Sequence, residues 1–446
     1  KPMKRPIRLA AAILAPVLTA GVLAAAPSAQ AAPMPSVPSP AAKAASQWLV
    51  GQLTNGLIHN NGYGGFDDYG LTVDTGLALI ATGTQPAAVT TVANALAANI
   101  DSYVGDGTTS IYAGSTGKAA VFAKDAGRDP ASFGGRNLIA QLEGTVATTA
   151  PIAGRIQDTS SYGDYANVLG QAWAVEALDR SGSAKAASAT DFLLKQQCSE
   201  GYFRTYLTTD KTAADQTCDG GKAASASDPS TDTTALAVIT LSQHSKTPAV
   251  SAALAKAKGW LAAAQAADGS WGGGAGTSTS NSNSTGLATR ALTGTASAKR
   301  GVAWLTARQA TANDGALSGE AGAIAYDDAA LTTARTAGIA DDTARDQWRR
   351  ATAQATLGLS AQTPPLVSAR SAVVKRKKPI VLRSNSFKPR ERVVVRYKGK
   401  VVKRGKATKR GVFKARFRSG KKVGTFKVNV TGRQTGSTTF TVRVKR

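Results

Sequence analysis

The chain has 446 residues and a formal net charge of +26, with 54 lysines and arginines against 28 aspartates and glutamates. The charge is confined to one end, because the last 81 residues carry 27 basic side chains and one acidic side chain, Glu391. The other 365 residues carry equal numbers of each sign. This distribution excludes a nucleic-acid binder that is basic throughout, and the length allows two or three domains.

Residues 1–31 have the pattern of a secretory signal peptide. Basic residues come first, an apolar run covers 9–26, and Ala29-Gln30-Ala31 is a small-x-small cleavage site. An uncleaved membrane anchor is the alternative, but Pro16 and Pro27 interrupt the apolar run. We therefore expect a bacterial protein that is secreted, extracellular or associated with the cell wall.

A repeated pair of helices is predicted over residues 43–360, after a Pro-rich linker at 32–42. The first helix of each pair carries an aromatic or apolar residue followed by Leu or Ile, and then Gln and Gly at short spacing. The clearest copy is Trp260-Leu261 with Gln265 and Gly269. Gly terminates such a helix because it adopts the left-handed cap conformation at low cost. Further copies begin at Trp48, Leu138, Phe192 and Trp304.

The second helix of each pair begins with Asp, Asn, Ser or Thr, residue types that accept hydrogen bonds from the free N–H groups of a helix start. Small residues such as Gly76, Gly286 and Ala288 follow, and they permit neighbouring helices to approach closely. Six pairs are enough to close a ring. The predicted starts are 73–78, 112–115, 165–170, 230–235, 283–288 and 327–331.

Cys198 and Cys218 are the only cysteines. In an exported chain, a sparse and even count favours one disulfide that closes the loop between them. The two histidines, His59 and His244, lie far apart in sequence and give no metal-ligand spacing. We therefore predict a Cys198–Cys218 disulfide, no metal and no cofactor.

The unit Lys258-Gly259-Trp260-Leu261, with Gln265 and Gly269-Ser270-Trp271, resembles the QW repeat of the squalene-cyclase and prenyltransferase superfamily. The resemblance covers roughly residues 43–360 and implies an α6/α6 toroid, in which outer helices form one ring and inner helices a second. In that superfamily, the N-termini of the inner helices line one mouth of a central cavity. We expect a multidomain, mainly α protein with this toroid as its larger part.

The chemistry of the superfamily is only partly represented. Triterpene cyclases protonate an alkene with an Asp in an Asp-x-Asp-Asp-Thr-Ala setting, and the corresponding stretch at 230–235 keeps Asp232 alone. Aromatic residues make up 6% of the chain, which is few for a pocket that stabilises carbocations. The Asp, Cys and His that hold zinc in protein prenyltransferases have no counterpart. These absences favour a toroid without catalytic activity.

The segments between the two helices of each pair gather at one mouth if the ring forms. They interleave Tyr, Trp and Asp with Gly, a combination that stacks on sugar rings and hydrogen-bonds hydroxyl groups; aromatic core residues and Asp helix caps are the alternative interpretation. The candidate acids and bases are Asp67, Asp68, Asp74 and Asp232. The candidate ligand-binding residues are Tyr63, Phe66, Asp67, Asp68, Tyr165, Tyr202, Trp271, Tyr326 and Asp327.

After a second linker at 361–372, the hydrophobic period changes to two. Apolar and basic residues alternate strictly from Phe413 to Arg418, and similar short strands over 373–446 predict a small antiparallel β-sandwich. The run from Ser386 to Val395 resembles immunoglobulin-like modules found near the C-termini of bacterial surface proteins.

The charge of this tail predicts an anionic cell-envelope polymer or lipid surface as its partner, without sequence-specific binding to nucleic acid. We also expect no transmembrane segment once the signal has been cleaved. The predicted polyanion-binding residues are Arg392, Arg396, Lys414, Arg416, Arg418, Lys427 and Arg443.

Two functions follow from these features. The first is a secreted, non-catalytic surface protein whose toroid is a scaffold or binds an unidentified small molecule or glycan, and whose tail attaches it electrostatically to an anionic envelope. The second is an exported enzyme of the toroid class, a glycan lyase or hydrolase or a terpenoid cyclase, that uses Asp residues at the mouth. Two carboxylates that converge in a deep pocket would favour the enzyme.

Overall fold

The structure is a computed structural model that describes residues 39–222, 227–244, 247–360, 367–369, 373–384, 387, 390–432 and 436–446. The predicted signal peptide at 1–31 lies outside the described residues. The helices are α1 (Pro40–Val50), α2 (Tyr69–Thr82), α3 (Pro86–Ala98), α4 (Ile100–Val104), α5 (Ala113–Asp125), α6 (Leu138–Thr145), α7 (Val168–Arg180), α8 (Ala186–Lys195), α9 (Thr231–Gln243), α10 (Pro248–Ala263), α11 (Ser282–Ala291), α12 (Ala296–Ala307), α13 (Asp328–Ala337) and α14 (Asp342–Ser360). None of the described helices is long and apolar enough to span a bilayer.

Six helices contact one another in a closed order, which we call the inner circuit. Helix α2 packs on α5, α5 on α7, α7 on α9, α9 on α11, α11 on α14, and α14 returns to α2. Glycines at the crossings permit this, since a Cβ on Gly114 would lie 3.0 Å from the Gly170 Cα. A Cβ on Gly286 would lie 2.4 Å from the Gln354 carbonyl oxygen. Larger residues at these positions would force the helices apart.

The sixth member of the inner circuit differs from the sequence prediction. The start predicted at 327–331 belongs to α13, which packs outside the circuit, whereas α14 closes it. The reason is the distribution of apolar surface. Among the residues of α13 only Leu331 and Ala334 are buried, while α14 buries Trp348 and small residues on several sides. A helix that is buried around most of its circumference belongs to an inner layer.

The repeated glutamines connect successive outer helices. The side-chain amide of Gln265 donates to the Gly269 carbonyl in its own exit loop and to the Ser297 carbonyl in α12, both at 2.9 Å. Gln309, in the last copy, donates to the Ala41 carbonyl in α1 at 2.9 Å. In the copies with Gln197, Gln265 and Gln309, the Gln therefore holds its exit loop against the next outer helix, and the last copy reaches back to the first helix. Gln141 instead donates to the Val104 carbonyl and the Thr116 hydroxyl.

A short antiparallel sheet follows α1 and consists of β1 (Leu53–Thr54), β2 (Leu57–Asn60) and β3 (Phe66–Asp67). It leads directly into Asp68, whose carboxylate caps α2. The sheet thus fixes the position at which the first helix of the inner circuit begins.

The C-terminal region contains two sheets that are mostly antiparallel. One has the strand order β5-β11-β10-β7-β8 and the other has the order β4-β6-β9. Side chains from both sheets, among them Leu382, Val395 and Val430, share one apolar cluster. The predicted alternation is confirmed in β9, where Phe413, Ala415 and Phe417 are buried and the basic residues between them are exposed. The strands are β4 (Val367–Ala369), β5 (Val373–Lys375), β6 (Pro379–Ser384), β7 (Arg392–Tyr397), β8 (Lys400–Lys406), β9 (Phe413–Arg418), β10 (Gly424–Gly432) and β11 (Gly436–Lys445).

Candidate functional site

A cavity of about 530 Å³ lies inside the inner circuit, and every one of the six helices contributes to its lining. We call it the central cavity. Its volume falls within the range of roughly 300–1,000 Å³ that small-molecule sites occupy. The polar lining residues include Asp74, Lys118, Asp158, Asp232 and Gln354. The apolar and aromatic lining residues are Leu77, Tyr103, Tyr112, Tyr165, Ala166, Leu169, Trp173, Leu236, Ile239, Leu287 and Leu357.

An ion pair occupies one wall of the central cavity. Lys118 Nζ on α5 lies 2.7 Å from Asp74 Oδ1 on α2, and both side chains are largely shielded from solvent. Burial by itself lowers the pKa of the Lys118 ammonium, but the charge and hydrogen bond of Asp74, together with Tyr103 and Asp68, outweigh burial and raise it. Burial also raises the pKa of the neighbouring Tyr103 hydroxyl. At neutral pH this wall therefore carries a closed ion pair beside an un-ionised phenol.

Asp232 stands on another wall, in the first turn of α9. Burial raises the pKa of its carboxyl to about 6, and the nearby Ser284 hydroxyl offsets this only in part. Neither Asp232 Oδ1 nor Ser284 Oγ makes a hydrogen bond of acceptable geometry with any described residue. A buried carboxyl oxygen without a partner is uncommon in a folded protein, and such groups often mark a ligand site.

A second, smaller hollow of about 240 Å³ shares Asp232 and Leu169 with the central cavity. Its other lining residues include Ser230, Thr205 and Tyr206, whose side chain is 71% exposed. Asp232 therefore stands where the central cavity adjoins a hollow that opens towards solvent. Tyr326 lies close enough for the Asp232 charge, together with burial, to raise the pKa of its hydroxyl.

The four candidate acids and bases separate into two groups. Asp74 and Asp232 line the central cavity, as described above. Asp67 instead contacts the imidazole of His59, with 2.8 Å between Oδ1 and Nδ1. Asp68 caps α2 by accepting a hydrogen bond from the Leu71 N–H at 2.8 Å, and its other oxygen contacts Arg350. The structure therefore does not bring Asp67 and Asp68 into the cavity.

The predicted ligand-binding residues also separate by position. Tyr165 lines the central cavity and is 71% exposed, while Tyr326 lines a neighbouring hollow of about 560 Å³ beside α14. Asp327 caps α13 by accepting from the Ala330 N–H at 2.8 Å. Phe66 is exposed on β3, and the Tyr63 side chain lies outside the described atoms.

Tyr202 and Trp271 are core residues of their repeats. Trp271 is 1% exposed, and its indole N–H donates to the Leu261 carbonyl at 2.7 Å. Tyr202 is 5% exposed, and its hydroxyl donates to the Ser227 carbonyl at 2.8 Å. Because both side chains are enclosed and their polar groups are satisfied, we assign them to repeat packing and not to ligand contact.

Most of the residues that line the cavity were not predicted as site residues, among them Tyr103, Lys118, Asp158 and Trp173. Lys118 carried a usable signal, since it is the single charged residue in the first two turns of α5, where all the other residues are small. Asp158 lies in a loop and accepts a hydrogen bond from the Ala113 N–H at the start of α5, at 2.8 Å. Burial raises the pKa of its carboxyl.

The predicted disulfide between Cys198 and Cys218 is confirmed. Within the described ranges, Cys198, Glu200 and Asp219 form the one group of potential metal ligands close enough to share an ion. The Cys198 sulfur is bonded to Cys218, so it is not available as a thiolate ligand.

Comparison with solved structures identifies similar folds. The type II terpene cyclase MstE from Scytonema is 15% identical and matches 72% of this chain and 96% of its own, with a TM-score of 0.50. A variant of MstE in complex with geranylgeranyl dihydroxybenzoate, its substrate, has the same identity and coverage and a TM-score of 0.49. A protein from Actinoplanes is 18% identical over 72% of this chain and 99% of its own, with a TM-score of 0.49. No protein-family model and no curated protein matches the sequence.

At this level of identity, the similarity to MstE shows the fold alone. The chain has a terpene-cyclase-like helical fold followed by C-terminal sheets that are mostly antiparallel. The recognised likeness to the cyclase superfamily is confirmed to that extent. Terpene cyclases are thus among the proteins of similar fold, and both functions predicted from the sequence stay predictions at this point.

Proposed function

We propose that the helical body is a terpene-cyclase-like enzyme in which Asp232 donates a proton to an apolar polyprenyl compound held in the central cavity. The observation that carries the proposal is the Asp232 carboxyl, which lines this cavity, has a buried oxygen without a hydrogen-bond partner among the described residues, and has a pKa of about 6. The proposal includes closure of the helix pairs into an α6/α6 toroid, as the sequence resemblance implies.

The lining of the central cavity supports an apolar substrate. Leucine, isoleucine and aromatic side chains from different helices converge there, and the Asp74–Lys118 charges neutralise each other. A polyprenyl chain would bury its methyl groups and double bonds against this lining, at roughly 25 cal/mol per Å² of apolar surface.

Proton transfer from Asp232 to a carbon of a terminal double bond would leave a tertiary carbocation and a carboxylate. Attack by the next double bond moves the positive charge along the chain, and loss of a proton from carbon to water ends the sequence. The rings of Tyr103, Tyr112, Tyr165 and Trp173 line the same cavity. Each ring that faces a desolvated cation contributes about 0.5–2 kcal/mol. These four rings thus lie where a cation would form.

The experiment is incubation of the full chain with linear polyprenyl compounds, geranylgeranyl dihydroxybenzoate among them, followed by mass spectrometry. We expect cyclic products of unchanged mass, a rate that falls as the pH rises through about 6, and loss of product in Asp232→Asn. Asp191→Asn, at an exposed position of the outer helix α8, is the matched control and keeps full activity. Turnover that Asp232→Asn leaves unchanged would refute the assignment of Asp232.

We further propose that the protein is exported and that its C-terminal sheets form an immunoglobulin-like sandwich. The secretory pattern at 1–31 supports export, and the shared apolar cluster between the two sheets supports the sandwich. N-terminal sequencing of the protein from a culture medium tests export; a chain that stays in the cell with residues 1–31 attached would contradict it.

A further inference from the structure

A concave basic surface, which we call the basic groove, lies where β8 meets β9. It has a volume of about 860 Å³ and is lined by residues of β6, β8, β9 and the turn before β9. Its basic lining residues are Arg383, Lys403, Arg404, Lys406, Lys409, Arg410 and Lys414, and no acidic residue lines it.

Six of the seven basic side chains in the groove have no ion pair with the described part of the chain. Lys403, Arg404, Lys406, Lys409, Arg410 and Lys414 are all exposed, and none of them forms an ion pair with a described residue. Glu391, the acidic residue of this region, is 3% exposed and does not line the groove. The groove is therefore a strongly positive surface that faces solvent.

Strand register concentrates the charge further. Arg383 on β6 stands directly opposite Lys414 on β9, and Arg392 on β7 stands opposite Lys406 on β8. Like charges in opposing positions of antiparallel strands destabilise a sheet. Two such pairs beside one groove indicate that this surface is arranged for an anion and not for the stability of the sheets.

We propose that the basic groove binds a flexible linear polymer that carries phosphate groups along its backbone. Lys and Arg contact phosphate oxygens, and the release of counterions from the polymer drives association. A concave groove can enclose a single linear chain, whereas a flat membrane surface would contact only the rim of the groove. The one aromatic side chain in the lining, Phe413, is 4% exposed and offers no stacking platform for bases. The backbone of the polymer is therefore what the groove recognises.

This assignment refines the expectation drawn from the sequence. The seven polyanion-binding residues predicted there are all exposed, but only Lys414 lines the groove. Arg416, Arg418, Lys427 and Arg443 project from strand positions outside the groove lining. Binding to the groove and diffuse attraction to all strand faces therefore predict different effects of mutation.

The test uses the full chain and linear inorganic polyphosphate, titrated at several salt concentrations. The groove variant is Lys403→Gln, Lys409→Gln and Lys414→Gln in one chain. The matched control is Lys421→Gln, Lys422→Gln and Lys445→Gln, which removes the same charge from exposed lysines of the same region that do not line the groove. Melting curves of both variants establish that they are folded.

We expect the groove variant to bind polyphosphate at least tenfold more weakly at physiological salt. The slope of log affinity against log salt concentration should become shallower by about 2, because each of the three lost lysine–phosphate contacts contributes about 0.7. We expect the control to lose less than threefold. Equal losses in the two variants would overturn the proposal, because binding would then follow net charge alone.

Two further probes identify the recognised chemistry. Single-stranded DNA should bind with an affinity similar to that of polyphosphate, because both present a flexible phosphate chain. Binding to DNA without binding to polyphosphate would overturn the proposal in favour of base recognition. Vesicles of anionic phospholipid that bind more tightly than polyphosphate, and equally to the groove and control variants, would overturn it in favour of a membrane surface.

Discussion

Asp232→Asn provides a test of the candidate site that does not require a substrate. Burial raises the pKa of Asp232 from 3.8 to about 6, so the folded state binds a proton more tightly than the unfolded state does. The ionised carboxylate therefore costs the folded state about 3 kcal/mol above pH 7, from 1.36 kcal/mol per pKa unit. This cost appears as the pH rises from about 4 to 7 and is absent below that range.

Asparagine has nearly the same shape and no charge, so the variant escapes this cost. We expect the free energy of unfolding of Asp232→Asn, relative to the unmodified chain, to increase by about 2.5 kcal/mol between pH 4 and pH 7.5, because part of the cost is already present at pH 4. The assay is denaturant unfolding followed by tryptophan fluorescence. All six tryptophans lie between residues 48 and 348, so the signal reports the helical body alone.

Leu236→Ala, on the same helix and in the same cavity lining, is the control. It removes about 2–5 kcal/mol of packing, and this loss should not vary with pH. A difference between Asp232→Asn and the unmodified chain that stays constant from pH 4 to 7.5 would refute the desolvated environment of Asp232. A difference that becomes smaller as the pH rises would show that Asp232 is stabilised as a carboxylate, and it would remove the basis for its role as an acid.

Three further substitutions test the surroundings of the site by denaturant unfolding. Lys118→Met should lower the free energy of unfolding by about 3 kcal/mol, because it leaves Asp74 in the cavity wall without its partner. Adding Asp74→Leu should recover part of that loss. A Lys118→Met variant as stable as the unmodified chain would contradict the ion pair. Gly269→Ala should lower the free energy of unfolding by about 1–3 kcal/mol more than Gly163→Ala does. Both glycines have a φ near +100°, but only a Cβ at Gly269 meets another residue, Arg300, at 2.9 Å. Equal losses of stability would mean that the backbone angle alone is responsible. Replacing Cys198 and Cys218 by Ser should cost roughly 3 kcal/mol for a loop of this length, and reduction of the unmodified chain should cost the same amount.

The repeats and the small residues of the inner helices could be predicted from the sequence because they are local patterns. Gln265 and Gly269 are four residues apart, and their hydrogen bond confirms the repeat as a structural unit. The alternation from Phe413 to Arg418 likewise depends on one strand alone. Periodicity and capping residues are sufficient to recognise such elements.

The sixth inner helix and the ion pair in the cavity could not be predicted in this way. Asp residues mark the starts of both α13 and α14, so a capping signal cannot tell which helix enters the inner layer. Lys118 and Asp74 lie on different helices and meet only because those helices pack together. Such contacts depend on the tertiary arrangement, which no local pattern encodes.

The residues beside Asp232 bear on its proposed role as an acid. Ser230 and Thr233 stand where the related cyclase motif has its other carboxylates, and they are neutral. Their hydroxyl groups are engaged with each other at 3.0 Å, and Thr233 Oγ1 also lies 2.8 Å from Thr205 Oγ1. No neighbouring charge therefore sets the pKa of Asp232, and burial alone raises it to about 6. A carboxyl with a pKa of about 6 carries its proton in mildly acidic solution, and under the proposed function it would have to recover that proton after each transfer. The hollow lined by Ser230 and Thr205 reaches Asp232 from the exposed side of Tyr206. Solvent can thus return a proton to Asp232 without crossing the apolar cavity in which a carbocation would have to survive.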